Sequence, residues 1–175
     1  GQATVDVIKS CIPNITNPWL MPSVDLDACL VAIRIATYGE KLDITTKVPV
    51  LGEEREFSVD LRQVLNKLVT PEYENKLKIG DINVELRPLS YKEFTERNLK
   101  TFEEQRIFSL VNSDDMDDSE KLNRFSESFK KLTNLTVNML SKSIAKLQIG
   151  DDEVTNSVHI EEFIDNVDKE FFKGI

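Results

Sequence analysis

Between Leu26 and Ala36 the chain is apolar except at Asp27 and Arg34. A helix that is hydrophobic nearly all the way round belongs inside a core, so this segment is expected to be buried centrally and wrapped by the rest of the chain. Ser23 or Asp25 is placed to cap its start, and Gly39 is a left-handed C-cap candidate at its end. Arg34, the cation within the run, either pairs with an acid from another element or snorkels outward. Beyond the glycine, Leu42, Ile44, Thr46 and Val48 alternate with Lys41, Asp43, Thr45 and Lys47, which is the period of a strand with one covered face. The alternation resumes after residues 49–52, with Phe57, Val59 and Leu61 set against Glu54, Glu56, Ser58 and Asp60. The two runs predict a hairpin whose second strand has an acidic outer face. Asp60 with Gln63 then forms a capping-box pattern, and Leu61, Val64, Leu65 and Leu68 line a short helix ending before Pro71.

Upstream, Val5, Ile8, Cys11 and Ile12 recur at helical spacing, and Pro13, Pro18 and Pro22 make residues 14–21 an extended connector carrying Trp19. Trp19 is read either as a lid over the core or as an exposed anchor for a partner. Downstream, Leu77 and Ile79 enter a Gly80-Asp81 turn and Ile82, Val84 and Leu86 leave it, a second hairpin. Ser90 with Glu93 repeats the capping-box signal and opens a helix through about Val111, with Tyr91, Phe94, Phe102, Ile107 and Phe108 as apolar contacts. After an acidic turn over residues 112–118, Leu122, Phe125, Phe129, Leu132, Thr136, Met139 and Ser143 recur at steps of three and four. They predict one helix from Ser119 to Ile149, antiparallel to the helix before it. Val154 suggests a brief extended segment. Ser157 starts a last amphipathic helix carrying Ile160, Phe163, Ile164, Val167 and Phe171.

The fold class that follows is α+β: a buried central helix, two β-hairpins, a C-terminal helical hairpin and a last amphipathic helix. Residues 1–88 are expected to form the α+β core and 89–175 a helical region packed on it, as one continuous domain. Neither terminus is capped, so the chain reads as a fragment of something longer.

With 175 residues, 40% of them apolar, the chain can bury a sizeable core. Charge narrows the partners: 22 Lys and Arg against 31 Asp and Glu give a net charge of −9, which repels a phosphate backbone or an anionic membrane. Neither nucleic acid nor membrane is therefore expected as a partner. Two cysteines, Cys11 and Cys29, fit a reducing compartment, with Cys29 acting as a small apolar residue.

Catalytic chemistry finds no footing in these residues. His159 is the one histidine, without a Cys or Ser motif directed at it, and no P-loop, dinucleotide fingerprint or paired-His metal motif occurs. Asp114, Asp115, Asp117, Asp118 and Glu120 lack the glycine and glutamate of an EF-hand loop and read as a helix-capping turn. Val48-Pro49-Val50-Leu51-Gly52 has the frame of a zinc knuckle, but Val48 and Leu51 stand where thiolates are needed. No catalytic residue, cofactor or metal is assigned. Within the helix after Ser90, Glu93 with Arg97 and Lys100 with Glu104 fall at i,i+4 and are expected to pair.

The apolar helix ending IRIATYGEKLDI, the run FSVDL, then LRPLSYKEF and a late HIEEFIDNV resemble the baseplate proteins of T-even-like tailed phages, over most of the chain. The resemblance implies a non-enzymatic phage protein acting in assembly of the tail baseplate hub, as an assembly factor or chaperone or as a structural subunit. It implies tail and hub proteins as partners, and residence in the host cytoplasm during assembly or in the virion tail. Trp19, Phe171, Phe172 and Ile175 are the candidate contact residues. A second reading from a different class is an adaptor or regulatory domain that binds a host protein through the helical hairpin. The buried-helix reading makes one direct prediction: Ile33→Asp should strand a charge in the core and lower stability by several kcal/mol in a denaturant titration.

Overall fold

The structure, a computed structural model, describes residues 1–47, 52–70, 74–110 and 117–167. The chain forms two compact units, Gly1–Tyr73 and Glu74–Ile175. The fold class is α+β, with helices and two small antiparallel sheets.

In the first unit, α1 (Gln2–Cys11) buries Val5 and Ile8 and packs on α2 (Ser23–Tyr38). The connector expected to be extended instead contains a 3₁₀ turn at Pro18–Leu20. Pro18 sits at its first position, where a missing N–H costs nothing, and the Leu20 N–H closes the turn on the Asn17 carbonyl at 3.2 Å. Neither Ser23 nor Asp25 caps α2. Pro22 holds the N-cap position, and its carbonyl accepts the Asp25 and Leu26 N–H groups at 3.1 Å each. At the far end Gly39 takes φ +88°, and its N–H reaches the Ile35 carbonyl at 2.9 Å. Among the described residues Arg34 has no acid partner. It donates to the Gly39 carbonyl at 3.2 Å and lies 4.9 Å over the Tyr38 ring, so its charge faces the negative end of the helix.

The expectation that α2 is wrapped on all sides is overturned. Only Leu26 and Ala28 are buried; Val31, Ile33 and Ile35 are half-buried, and Ala32 and Ala36 are exposed. The reason is the supply of covering elements: a 16-residue helix meets a 10-residue α1 and a 9-residue α3 (Leu61–Val69), too little surface to enclose every side. Ile33→Asp should accordingly cost less than a fully buried charge would.

Strands β1 (Lys41–Lys47) and β2 (Glu54–Asp60) form an antiparallel ribbon with Leu42 opposite Val59 and Ile44 opposite Phe57. Its tip, the knuckle-like residues 48–51, lies outside the described residues. Asp60 then caps α3: its Oδ1 accepts the Arg62 N–H at 2.9 Å, while its Oδ2 accepts from the Arg62 guanidinium at 2.9 Å. The capping partner is thus Arg62, where a box with Gln63 was expected. The guanidinium hydrogen bonds also hold the Asp60 carboxyl below its ordinary range.

The second unit is built on a four-stranded antiparallel sheet in the order β3-β4-β5-β6, from β3 (Lys76–Ile79), β4 (Ile82–Leu86), β5 (Ile144–Ile149) and β6 (Asp152–Val154). Gly80 (φ +59°) and Gly150 (φ +61°) open the two-residue turns of its hairpins, where a side chain would be strained. Between β4 and β5 run α4 (Tyr91–Leu110) and α5 (Asp118–Lys142); α6 (Ser157–Asn166) follows β6. Asn156, rather than Ser157, caps α6 by accepting the Val158 N–H at 2.9 Å. Val84, Ile144, Leu147, Ile160 and Ile164 form the buried core, with Val137 of α5 packed against it.

The long helix expected to reach Ile149 stops at Lys142, and residues 144–149 are an inner strand. Ile144 and Leu147 stand three apart, a helical spacing that a regular strand would send to opposite faces. A bulge reconciles the two: Glu85 faces Lys146 and Leu86 faces Ile144, leaving Ala145 as the extra residue, so both side chains enter one core. Leu147 is fully buried in that core. Leu147→Ala is expected to destabilise the protein by about 2–5 kcal/mol, measured by urea denaturation. Ile33→Asp in the first unit should show the smaller loss.

Candidate functional site

The strongest polar constellation joins the sheet to the helical hairpin. Past β4, Arg87 donates through Nη1 and Nη2 to Glu93 Oε2 (3.1 Å) and Oε1 (2.9 Å). Glu93 Oε2 also accepts the Ser90 N–H at 2.9 Å, and Ser90 Oγ accepts the Glu93 N–H at 3.2 Å, a complete capping box at the start of α4. The Arg87 main-chain N–H meets the Ser143 carbonyl at 2.8 Å, just past the end of α5. One corner therefore fixes the beginning of α4 and the end of α5. The bidentate Arg87 guanidinium, with the Ser90 donors, pulls the Glu93 carboxyl down to about 2.

Two expected ion pairs are replaced. Glu93 pairs with Arg87 and not Arg97, because Arg87 comes from the adjoining chain in fork geometry. Glu104 pairs with Lys131 of α5 at 3.6 Å and not Lys100, because α5 packs along that side of α4. The hairpin seam is mixed: half-buried Leu135 and Met139 of α5 lie there beside Glu104, Lys131 and Asn138. Ser128 is buried, Glu104 is largely covered, and Glu104 Oε2 is buried without a hydrogen-bond partner among the described residues.

The aromatic side of α5 is turned away from this seam. Leu122 is 68% exposed and Phe129 60%, and Phe125 stacks on Phe129 with centroids 6.5 Å apart. On α4, Leu99 and Phe102 are exposed as well, Phe102 at 65%. Of the residues expected as apolar contacts of α4, Phe94, Phe102 and Ile107 are exposed, Tyr91 is half-buried, and the Phe108 side chain lies outside the described residues. The sequence did carry a signal for this seam: Ser128, Lys131, Leu135, Asn138 and Lys142 recur at steps of three and four beside the aromatic row. Their polarity made them look like the solvent face.

Of the residues expected to meet partners, Trp19 is half-buried in the 3₁₀ turn. Phe171, Phe172 and Ile175 lie outside the described residues, as do Asp114 and Asp115. Asp117 stands at the N-cap position of α5 and accepts from Ser119 Oγ at 2.7 Å, and Glu120 pairs with Arg124 at 3.2 Å. His159 is exposed in the first turn of α6. Cys11 is exposed and Cys29 half-buried, both as free thiols; burial, with Asp25 nearby, raises the Cys29 thiol above its ordinary range. Burial likewise raises the Asp27 carboxyl. Among the described residues no three His, Cys, Asp or Glu side chains converge to hold a metal, and no helix is long and apolar enough to cross a membrane.

The class defined by these features is an α+β protein whose helical hairpin presents aromatic and aliphatic side chains on exposed surface, the chemistry of protein–protein contact. A family model described as T4 bacteriophage base plate protein matches residues 1–175, and the chain belongs to that family. No curated protein and no solved structure matches it.

The corner sets a pH dependence. The Glu93 carboxyl is depressed from 4.5 to about 2, so its stabilisation is fully present above about pH 4.5 and is lost as pH falls toward about 2. With Arg87 partly open to solvent, Glu93→Gln should cost on the order of 1 kcal/mol at pH 7. Its stability should also decline less steeply than that of the parent between those two pH values, measured by thermal melts across the range.

Proposed function

We propose that this protein acts, without catalysing a reaction, in assembly of the tail baseplate hub, as an assembly factor or a structural subunit. It meets other baseplate proteins during assembly in the host cytoplasm, and the structural role would carry it into the virion tail. Membership of the baseplate family supports the setting. The observation that carries the mode of action is the row of Leu122, Phe125 and Phe129 on α5, exposed along a helix whose other side packs on α4. Aromatic side chains held rigidly on a helix make effective anchors, because they bury much area at little cost in side-chain entropy. The Arg87–Glu93 corner contributes by fixing the base of both helices.

The double variant Phe102→Ser with Phe129→Ser removes two exposed rings. Its melting temperature should stay close to the parent value, while hub assembly falls sharply in a complementation assay with phage lacking the parent gene. Each ring that acts as an anchor should be worth about 2 kcal/mol of partner affinity. Normal assembly by a folded double variant would refute the reading.

A further inference from the structure

The ribbon of β1 and β2 has no third strand on either side among the described residues. A two-stranded hairpin by itself is marginally stable in water, and its outer N–H and C=O groups are a template for another strand. Leu42, Ile44, Phe57 and Val59 share one face; Leu42 and Val59 are half-buried at its base, whereas the facing pair Ile44 and Phe57 is 43% and 50% exposed. On the opposite face β2 carries Glu54, Glu56 and Asp60. Asp60 is committed to Arg62, and Glu54 stands 3.9 Å from Lys47. Glu56 lies opposite Thr45 and has no ion-pair partner among the described residues.

We propose that the free edge of β2 takes up an extended segment of a partner protein in which apolar residues alternate with lysine or arginine. Backbone pairing supplies the main attraction. The apolar side chains of the added strand continue the Ile44–Phe57 face, and its cations lie across from Glu54 and Glu56, the arrangement that favours a cross-strand neighbour. The net charge of −9 favours the same partner chemistry at long range. The edge of β1 fits the role less well, because β1 carries Lys41 and Lys47 against the one acid Asp43, a row that repels the cations of the added strand, whereas the one cation of β2, Arg55, stands on the apolar face opposite Thr46. A second copy of this chain is also disfavoured. Antiparallel pairing of β2 with its own copy would bring the acidic row against itself. Stacking two ribbons face to face would cover roughly 250 Å² on each, from strands of ~24 Å length, against the ~800 Å² per partner of a stable complex.

The test uses the full chain and a capped synthetic peptide of alternating Lys and Val or Ile, seven residues long, followed by amide hydrogen exchange. Amides within residues 54–60 should slow at least tenfold, with those of 41–47 and of α5 unchanged. Methylating alternate backbone nitrogens on the pairing edge of the peptide should abolish the effect in the unaltered protein. Glu54→Lys with Glu56→Lys, both at exposed positions, should transfer binding to the peptide with Glu in place of Lys. The proposal is overturned if the peptide leaves residues 54–60 unprotected, protects β1 or α5 instead, or binds equally well after N-methylation, which would mean charge attraction alone.

Discussion

Pairing of β5 with β4 is the contact on which the second unit depends. It brings residues 144–149 beside residues 82–86, more than fifty positions earlier, and so requires α4 and α5 to run out and return. The bulge at Ala145 then sends Ile144 and Leu147 to the same face, where they meet Val84 and the α6 side chains Ile160 and Ile164. Without this strand the β3–β4 hairpin would stand alone, β6 would have no partner, and α6 would lose Ile144 and Leu147 from the surface it covers.

Around that contact, charge and hydrophobicity divide the work. The Arg87–Ser90–Glu93 corner is a set of directional bonds that holds both helices of the hairpin at their base. Farther along, the Glu104–Lys131 pair joins α4 to α5 beside half-buried Leu135 and Met139. An ion pair at a seam contributes little net stability, because desolvation offsets most of the attraction. Phe102, Phe125 and Phe129 are exposed, as are Ile44 and Phe57 on the ribbon of the first unit. Apolar side chains thus stand open in both units.

Local signals were legible wherever a few adjacent residues settle the backbone. The strand period of residues 41–47 and 54–60, the Gly80-Asp81 turn, the Ser90–Glu93 box and the Gly39 cap all follow from side-chain chemistry within a turn or two. The candidate contact surface was less legible. Trp19 stood out as an aromatic in a proline-bounded connector and Phe171 and Phe172 by their position, whereas Leu122, Phe125 and Phe129 looked like the stripe of a helical hairpin. Hydrophobic periodicity shows that one side of a helix is apolar, but it does not say whether a neighbour covers that side.

The sequence by itself determined the α+β composition, the β1–β2 and β3–β4 hairpins, most helix boundaries and the acidic character of the chain, because these depend on short-range sterics, capping and net charge. Only the tertiary structure decided three things. Residues 144–149 became a strand because the open edge of β4, with a bulge at Ala145, outweighed the helical spacing of Ile144 and Leu147. The apolar helix α2 stayed partly uncovered because its neighbours are short. The aromatic row of α5 is exposed because α4, α6 and the sheet core, which Val137 joins, cover other sides of that helix. Each outcome rests on which surfaces meet, and that is a property of the folded chain rather than of any window along it.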